Sequence, residues 1–153
     1  MKTNERTAEV LNDLIEINND RIRGYEKAIE ETKPGDADLR ALFESMASES
    51  RSYANDLRRH VTVAGEDPAE GTTIRGKIYR AWMDVKATFT GKDRKSILAS
   101  CEYGEDAAQR AYEDALSSDA ELSADVRQVI TEQKSSLKRS HDKIKALRDA
   151  QTA

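Results

Sequence analysis

The chain has 153 residues, 37% hydrophobic and 35% charged, enough for one domain (1–153) with a real core and wide solvated faces. The 25 basic residues against 29 acidic ones leave a formal net charge of −4, so there is no global attraction to nucleic acid, whose binding rests largely on neutralised phosphates. Two phenylalanines and one tryptophan are few for a β-sandwich, and no run approaches the ~18 apolar residues of a membrane span.

The single Cys101 cannot form an intramolecular disulfide, which fits a reducing compartment, and Met1 to Arg6 lacks the apolar stretch of a signal peptide. A cytoplasmic location is the expectation.

The first helix is expected over roughly 4–32. Leu11, Leu14, Ile22, Tyr25 and Ile29 recur there at three- and four-residue steps, the period of one helical face, and Asn18 shares that stripe. Pro34-Gly35-Asp36 should end it, with Asp36 placed to cap the next helix. A second helix is expected over 37–63, with Leu39, Leu42, Phe43, Met46, Tyr53, Leu57 and Val61 on one side and Ser50 among them. Gly65 to Pro68 closes it.

A crossover at about 65–95 comes next, holding a shorter helix over about 73–89 whose apolar stripe is Ile74, Ile78, Trp82, Val85 and Phe89. Residues 71–95 carry seven basic side chains against Asp84 and Asp93. A basic amphipathic helix of this kind can lie on anionic lipid or dock a partner. Packing of the stripe on its own bundle is the leading expectation, a homodimer through this helix the second, and membrane binding the last. The third helix runs to about Leu116 with Ile97, Leu98, Cys101, Glu105, Ala108, Tyr112 and Leu116 inward. After a loop from Ser117 to Leu122, Ser123 is placed as the N-cap of a fourth helix carrying Val126, Val129, Ile130, Leu137, His141, Ile144 and Leu147.

Helices of about 25 residues are about 35–40 Å long. Short joins make helices one–two and three–four antiparallel hairpins, and the long join between the pairs is the connectivity of a ferritin-like four-helix bundle. The fold expected is therefore all-α, two hairpins joined by a crossover with a short fifth helix. An internal repeat supports it. At a shift of 87, Leu11, Arg23, Tyr25, Glu26 and Ala28 fall on Leu98, Arg110, Tyr112, Glu113 and Ala115. At a shift of 88, Glu44, Ser48, Arg51 and Ser52 fall on Glu132, Ser136, Arg139 and Ser140.

A di-iron centre in such a bundle takes one Glu from each of two helices and a Glu-x-x-His pair from each of the other two. Tyr25 and Tyr112, each two turns after an inward polar residue, resemble the rubrerythrin-type layout. The ligand positions are then Asn18, Ser50 and Tyr53 in the first half, and Glu105, Lys138 and His141 in the second. Only Glu105 and His141 are metal-binding types, so no di-iron cluster and no cofactor are expected. The expected alternative to a metal is a buried polar layer of Asn18, Tyr25, Ser50, Tyr53, Glu105, Tyr112, Lys138 and His141. Cys101 reads as a small core residue.

The run Leu11-Asn12-Asp13-Leu14-Ile15-Glu16-Ile17-Asn18-Asn19-Asp20, the stretch Gly76 to Thr90 around Trp82-Met83-Asp84, and Cys101 to Ala108 resemble a bacterial family of ferritin-like four-helix-bundle proteins of unknown function. The resemblance implies the fold and a bacterial source, among stress-responsive proteins, and brings no known activity. With no phosphate-binding loop, nucleophile elbow or Cys-x-x-Cys pair in the sequence, the expectation is a non-catalytic binding or structural protein. The rival is a degenerate metalloprotein holding one metal or small ligand near Glu105 and His141.

Overall fold

The computed structural model describes residues 2–68, 94–118 and 120–152. They form four long helices, α1 (Lys2–Glu31), α2 (Ala37–Val63), α3 (Arg94–Leu116) and α4 (Ala124–Asp149), with single 3-10 turns at Pro34–Asp36 and Ala150–Thr152. The crossover helix and its stripe Ile74, Ile78, Trp82, Val85 and Phe89 lie outside the described residues.

Cross-helix hydrogen bonds fix the directions. Asn18 on α1 meets Ser50 on α2 while Asn12, nearer the start of α1, reaches Asp67 beyond the end of α2, so these two helices are antiparallel. Between α3 and α4, Tyr112 meets Gln133 and the earlier Glu102 meets the later Arg148, again antiparallel. Between α1 and α3, Asn18 pairs with Tyr112 and Tyr25 with Glu105, also antiparallel. Helices α2 and α3 must then point the same way, so the end of α2 and the start of α3 lie at opposite ends of the bundle. In a simple up-down bundle a short turn would suffice. This is the ferritin-like connectivity.

The core lies along the apolar stripes. Leu11, Leu14, Leu39, Phe43, Leu57, Ile97, Leu98, Ile130, Leu137 and Ile144 are fully or almost fully buried. Phe43 packs on Tyr25 with ring centroids 5.6 Å apart. Ile22, Ile29, Leu42, Leu116, Val129 and Leu147 are only half-buried at its margin.

The ends of the helices are determined locally. Ser123 Oγ accepts a hydrogen bond from the Val126 N–H at 3.2 Å, satisfying one of the free donors at the start of α4. Asp36, expected to cap α2, does not. One carboxylate oxygen accepts from the Lys33 N–H at 3.3 Å, and the other faces Arg94 at 3.2 Å. Arg94 also grips Asp38 with two nitrogens, at 2.5 and 3.0 Å, tying the start of α3 to the first hairpin's turn. That hydrogen bonding holds the Asp38 carboxyl down at about 2.

At the end of α2, the Gly65 N–H bonds Thr62 O at 2.9 Å and the Glu66 N–H reaches back to Val61 O at 3.2 Å. This closure requires Gly65 at φ +82°, where an L side chain is strained by about 1–2 kcal/mol. Nothing stands within 4 Å of a Cβ at either Gly65 or Gly35, so the backbone alone distinguishes the two sites. Gly65→Ala should lower the unfolding free energy by about 1 kcal/mol. Gly35→Ala, which needs no left-handed backbone, should leave it unchanged or slightly higher. Urea denaturation of both variants checks this, and equal effects would refute the assignment.

Candidate functional site

The centre of the bundle is built around Arg21, whose side chain is wholly buried. Its Nε donates to Glu105 Oε1 at 2.5 Å across the α1–α3 interface. Its Nη1 donates to Ser50 Oγ at 2.8 Å and to Met46 O at 3.2 Å, and lies 3.0 Å from Glu49 Oε1, all on α2. Glu49 in turn accepts from Ser140 Oγ on α4 at 3.1 Å. One guanidinium thus links three helices directly and the fourth through a carboxylate.

Around it lies a shell of neutral groups. The Tyr25 hydroxyl donates to the same Glu105 Oε1 at 2.8 Å, and the Arg21 guanidinium sits 5.2 Å from the Tyr25 ring centroid. Asn18 Nδ2 donates to Tyr112 Oη at 2.8 Å and to Leu14 O at 2.9 Å, and its Oδ1 accepts from Ser50 Oγ at 2.9 Å. Tyr112 donates onward to Gln133 Oε1 at 2.7 Å, and Gln133 Nε2 reaches the Tyr53 carbonyl at 3.4 Å.

The electrostatics hold the protons of this layer in place. Burial alone would disfavour the charge on Arg21, but Glu105 first, with Tyr25 and Glu49, outweighs it and holds the guanidinium charged. Burial, then the Glu105 charge, pushes the Tyr25 phenol well up, so it remains a donor. The Cys101 thiol, one turn before Glu105, is pushed up by the same two causes and is no thiolate nucleophile. Burial raises the Tyr112 and Tyr53 phenols as well.

Six of the eight residues expected in the polar layer are placed in or against it: Asn18, Tyr25, Ser50, Glu105 and Tyr112 fully, and Tyr53 at its half-buried edge. Lys138 and His141 are not. Lys138 has 65% of its side chain exposed and pairs with Asp142 at 3.1 Å on the outside of α4. His141 is held between Asp106, 2.6 Å from its Nε2, and Asp142, 3.1 Å from its Nδ1, and does not meet Glu105. Sequence reasoning missed Arg21, Glu49, Gln133 and Ser140. Arg21 lies three residues after Asn18 and four before Tyr25, so the helical spacing marks it, but a scan for apolar periodicity passes over an arginine.

The misplaced pair has a geometric cause. In the folded chain a shift of 87 relates both hairpins. Each buried position from Val10 to Ala28 falls on a buried position from Ile97 to Ala115. On the second helices Leu39, Phe43, Met46, Ser50 and Leu57 fall on the buried Val126, Ile130, Gln133, Leu137 and Ile144. The shift of 88 matched residues that are all exposed on α2 and so carry no information about the inward face, and one residue on a helix is a turn of about 100°. The inward partners of Ser50 and Tyr53 are Leu137 and Ser140, not Lys138 and His141.

The same geometry bears on a di-iron centre. Of the inward positions Asn18, Ser50, Tyr53, Glu105, Leu137 and Ser140, only Glu105 is a carboxylate, and its Oε1 already takes two donors. A positive guanidinium occupies the space beside it. The residues do not fit a metal pair.

The model of a family described as a domain of unknown function, DUF2383, matches residues 6–118. No curated protein matches the sequence. Among solved structures, a point mutant of Dps1 from Mycobacterium smegmatis superposes with a TM-score of 0.81 over 96% of this chain and 97% of that one, at 12% identity. At that identity the likeness concerns the fold.

The charges of the site have two measurable consequences. Arg21→Met leaves Glu105 buried and uncompensated and should cost about 3–5 kcal/mol, whereas Arg21→Met/Glu105→Leu should recover most of that loss. Single and double variants compared by chemical denaturation check this, and additive losses would contradict a coupled pair. Burial disfavours charge on His141, but the hydrogen bonds its ring gives to Asp142 and Asp106, with the charge of both carboxylates, outweigh it and raise its pKa. The stabilisation it gives is therefore complete below about pH 6.5 and is lost as pH rises through the folded-state value. The melting-temperature gap between wild type and His141→Gln should shrink over that window, and a gap that widened there would reverse the sign.

Proposed function

The chain belongs to the DUF2383 family, and we propose that it is a non-catalytic ferritin-like bundle, a cytoplasmic, stress-associated binding or structural protein that works through its surface. The observation that carries this reading is the Arg21–Glu105 pair. In a bundle whose relatives by fold can place metal-binding carboxylates on facing helices, this position is filled by a cation belonging to the chain itself. Cys101 is buried with its thiol pushed up, and the phenols hold their protons. What the core contributes is a connected layer in which Arg21 is paired with two carboxylates, and contact with other molecules falls to the outer faces.

Those faces support protein contact better than nucleic-acid contact. The exposed side of α4 interleaves Arg127, Lys138, Arg139, Lys143 and Lys145 with Asp125, Glu132, Asp142 and Asp149, so it presents no continuous basic stripe for phosphates. Among the described residues, no helix is long and apolar enough to cross a membrane.

Elemental analysis and an Fe(II)-oxidation assay on protein from iron-supplemented cells test the reading. Iron should fall far below the roughly two per chain of a di-iron bundle, with no rapid oxidation above the protein-free control. Stoichiometric iron with turnover would overturn it.

A further inference from the structure

The fork between Arg21 and Glu105 is only half closed. The nitrogens Nε and Nη2 of a guanidinium match the spacing of two carboxylate oxygens, so a side-on pair ordinarily forms two parallel hydrogen bonds. Here Nε meets Oε1, but Arg21 Nη2 and Glu105 Oε2 are both fully buried and have no hydrogen-bond partner among the described residues. One is a donor and the other an acceptor, on side chains already in contact. Tyr25 explains the opening. Its hydroxyl donates to the same Oε1, so both donors converge on one carboxylate oxygen and neither serves Oε2.

Orphaned charged atoms of this kind are rare in native cores, and buried water commonly satisfies them. We propose that the polar layer is a binding site for one small, neutral, water-sized molecule, water itself, which accepts from Arg21 Nη2 and donates to Glu105 Oε2. The surrounding charge selects the class. Glu49 and Glu105 flank a single guanidinium, so an anion would be repelled, and an ammonium ion has no lone pair to offer Nη2. The guest must both accept and donate. The Tyr25 hydroxyl oxygen, whose proton goes to Glu105, is an acceptor for its second proton. Toward the α2–α4 seam the side chain of Glu49, 28% exposed, touches the fully buried Arg21 and accepts from Ser140.

A high-resolution crystal structure of the full chain, with oxygen-17 relaxation dispersion in solution counting long-lived internal waters, tests this. The wild type should show a density peak within hydrogen-bond distance of both Nη2 and Oε2. Tyr25→Phe, which frees the carboxylate to close the fork, should lose one long-lived water, and so should Arg21→Met/Glu105→Leu. If Tyr25→Phe does not fold, the double variant decides alone. A wild-type structure with Nη2 and Oε2 in direct contact and no peak would overturn the proposal, as would equal water counts in wild type and double variant.

Discussion

The buried contact between Arg21 and Glu105 is the constraint around which the rest of the bundle is organised. An arginine taken wholly out of water incurs a desolvation cost of several kcal/mol, which only close carboxylates and further hydrogen bonds can offset. The chain supplies these from every direction: Glu105 from α3, Glu49, Ser50 and the Met46 carbonyl from α2, and Tyr25 from its own helix. Each of these groups has its position set by Arg21. Ser50 must stand inward to accept from it and to donate to Asn18, which then meets Tyr112, which then meets Gln133. A single continuous chain of bonds runs from the α1–α2 contact to the α3–α4 contact.

That chain of bonds shows how the two halves of the sequence relate. Asn18 and Glu105 occupy equivalent positions at a shift of 87, and so do Tyr25 and Tyr112. The cross-contacts are equivalent too: Tyr25 reaches Glu105 in the other half, and Tyr112 receives from Asn18. The apolar packing of the first helices keeps this pseudo-twofold relation, whereas the polar layer breaks it, with Ser50 opposite Leu137, Met46 opposite Gln133, and most sharply at Arg21. The counterpart of Arg21 is Ala108, also fully buried. One half brings the cation and the amide, and the other brings the carboxylate.

The fold was legible because helix period, breakers and loop lengths are local properties. The ranges of α2 and α3 and the Ser123 cap could be read from stripes and from Pro, Gly and Ser positions alone. The inward polar residues Asn18, Ser50 and Glu105 were legible for the same reason. Arg21 was not, because whether a charged residue on an apolar stripe is buried depends on partners more than 25 residues away in sequence. Lys138 and His141 failed differently: the surface of α4 repeats the surface of α2 at the wrong offset, and a helix converts an offset of one residue into a different face. Asp36 is a third kind of case. Its type suits a cap, but Arg94, distant in sequence, takes its carboxylate instead.

A buried ion pair contributes little net stability against a well-packed apolar substitute, so its value to this bundle lies in what it forbids. Helices of alanine, leucine and isoleucine can slide past one another with modest loss, and α3 is rich in small residues, with Ala107, Ala108, Ala111 and Ala115 all buried. A slip of α3 by one residue would turn Glu105 about 100° away from Arg21 and strand both charges. A slip of a full turn would set Cys101 or Gln109 against the guanidinium, neither able to neutralise it. The two hairpins therefore have one register in which Arg21, Glu49 and Glu105 are compensated together. The same geometry that excludes a metal pair from the centre makes the relative position of α1, α2 and α3 unique, and so fixes the outer faces they present.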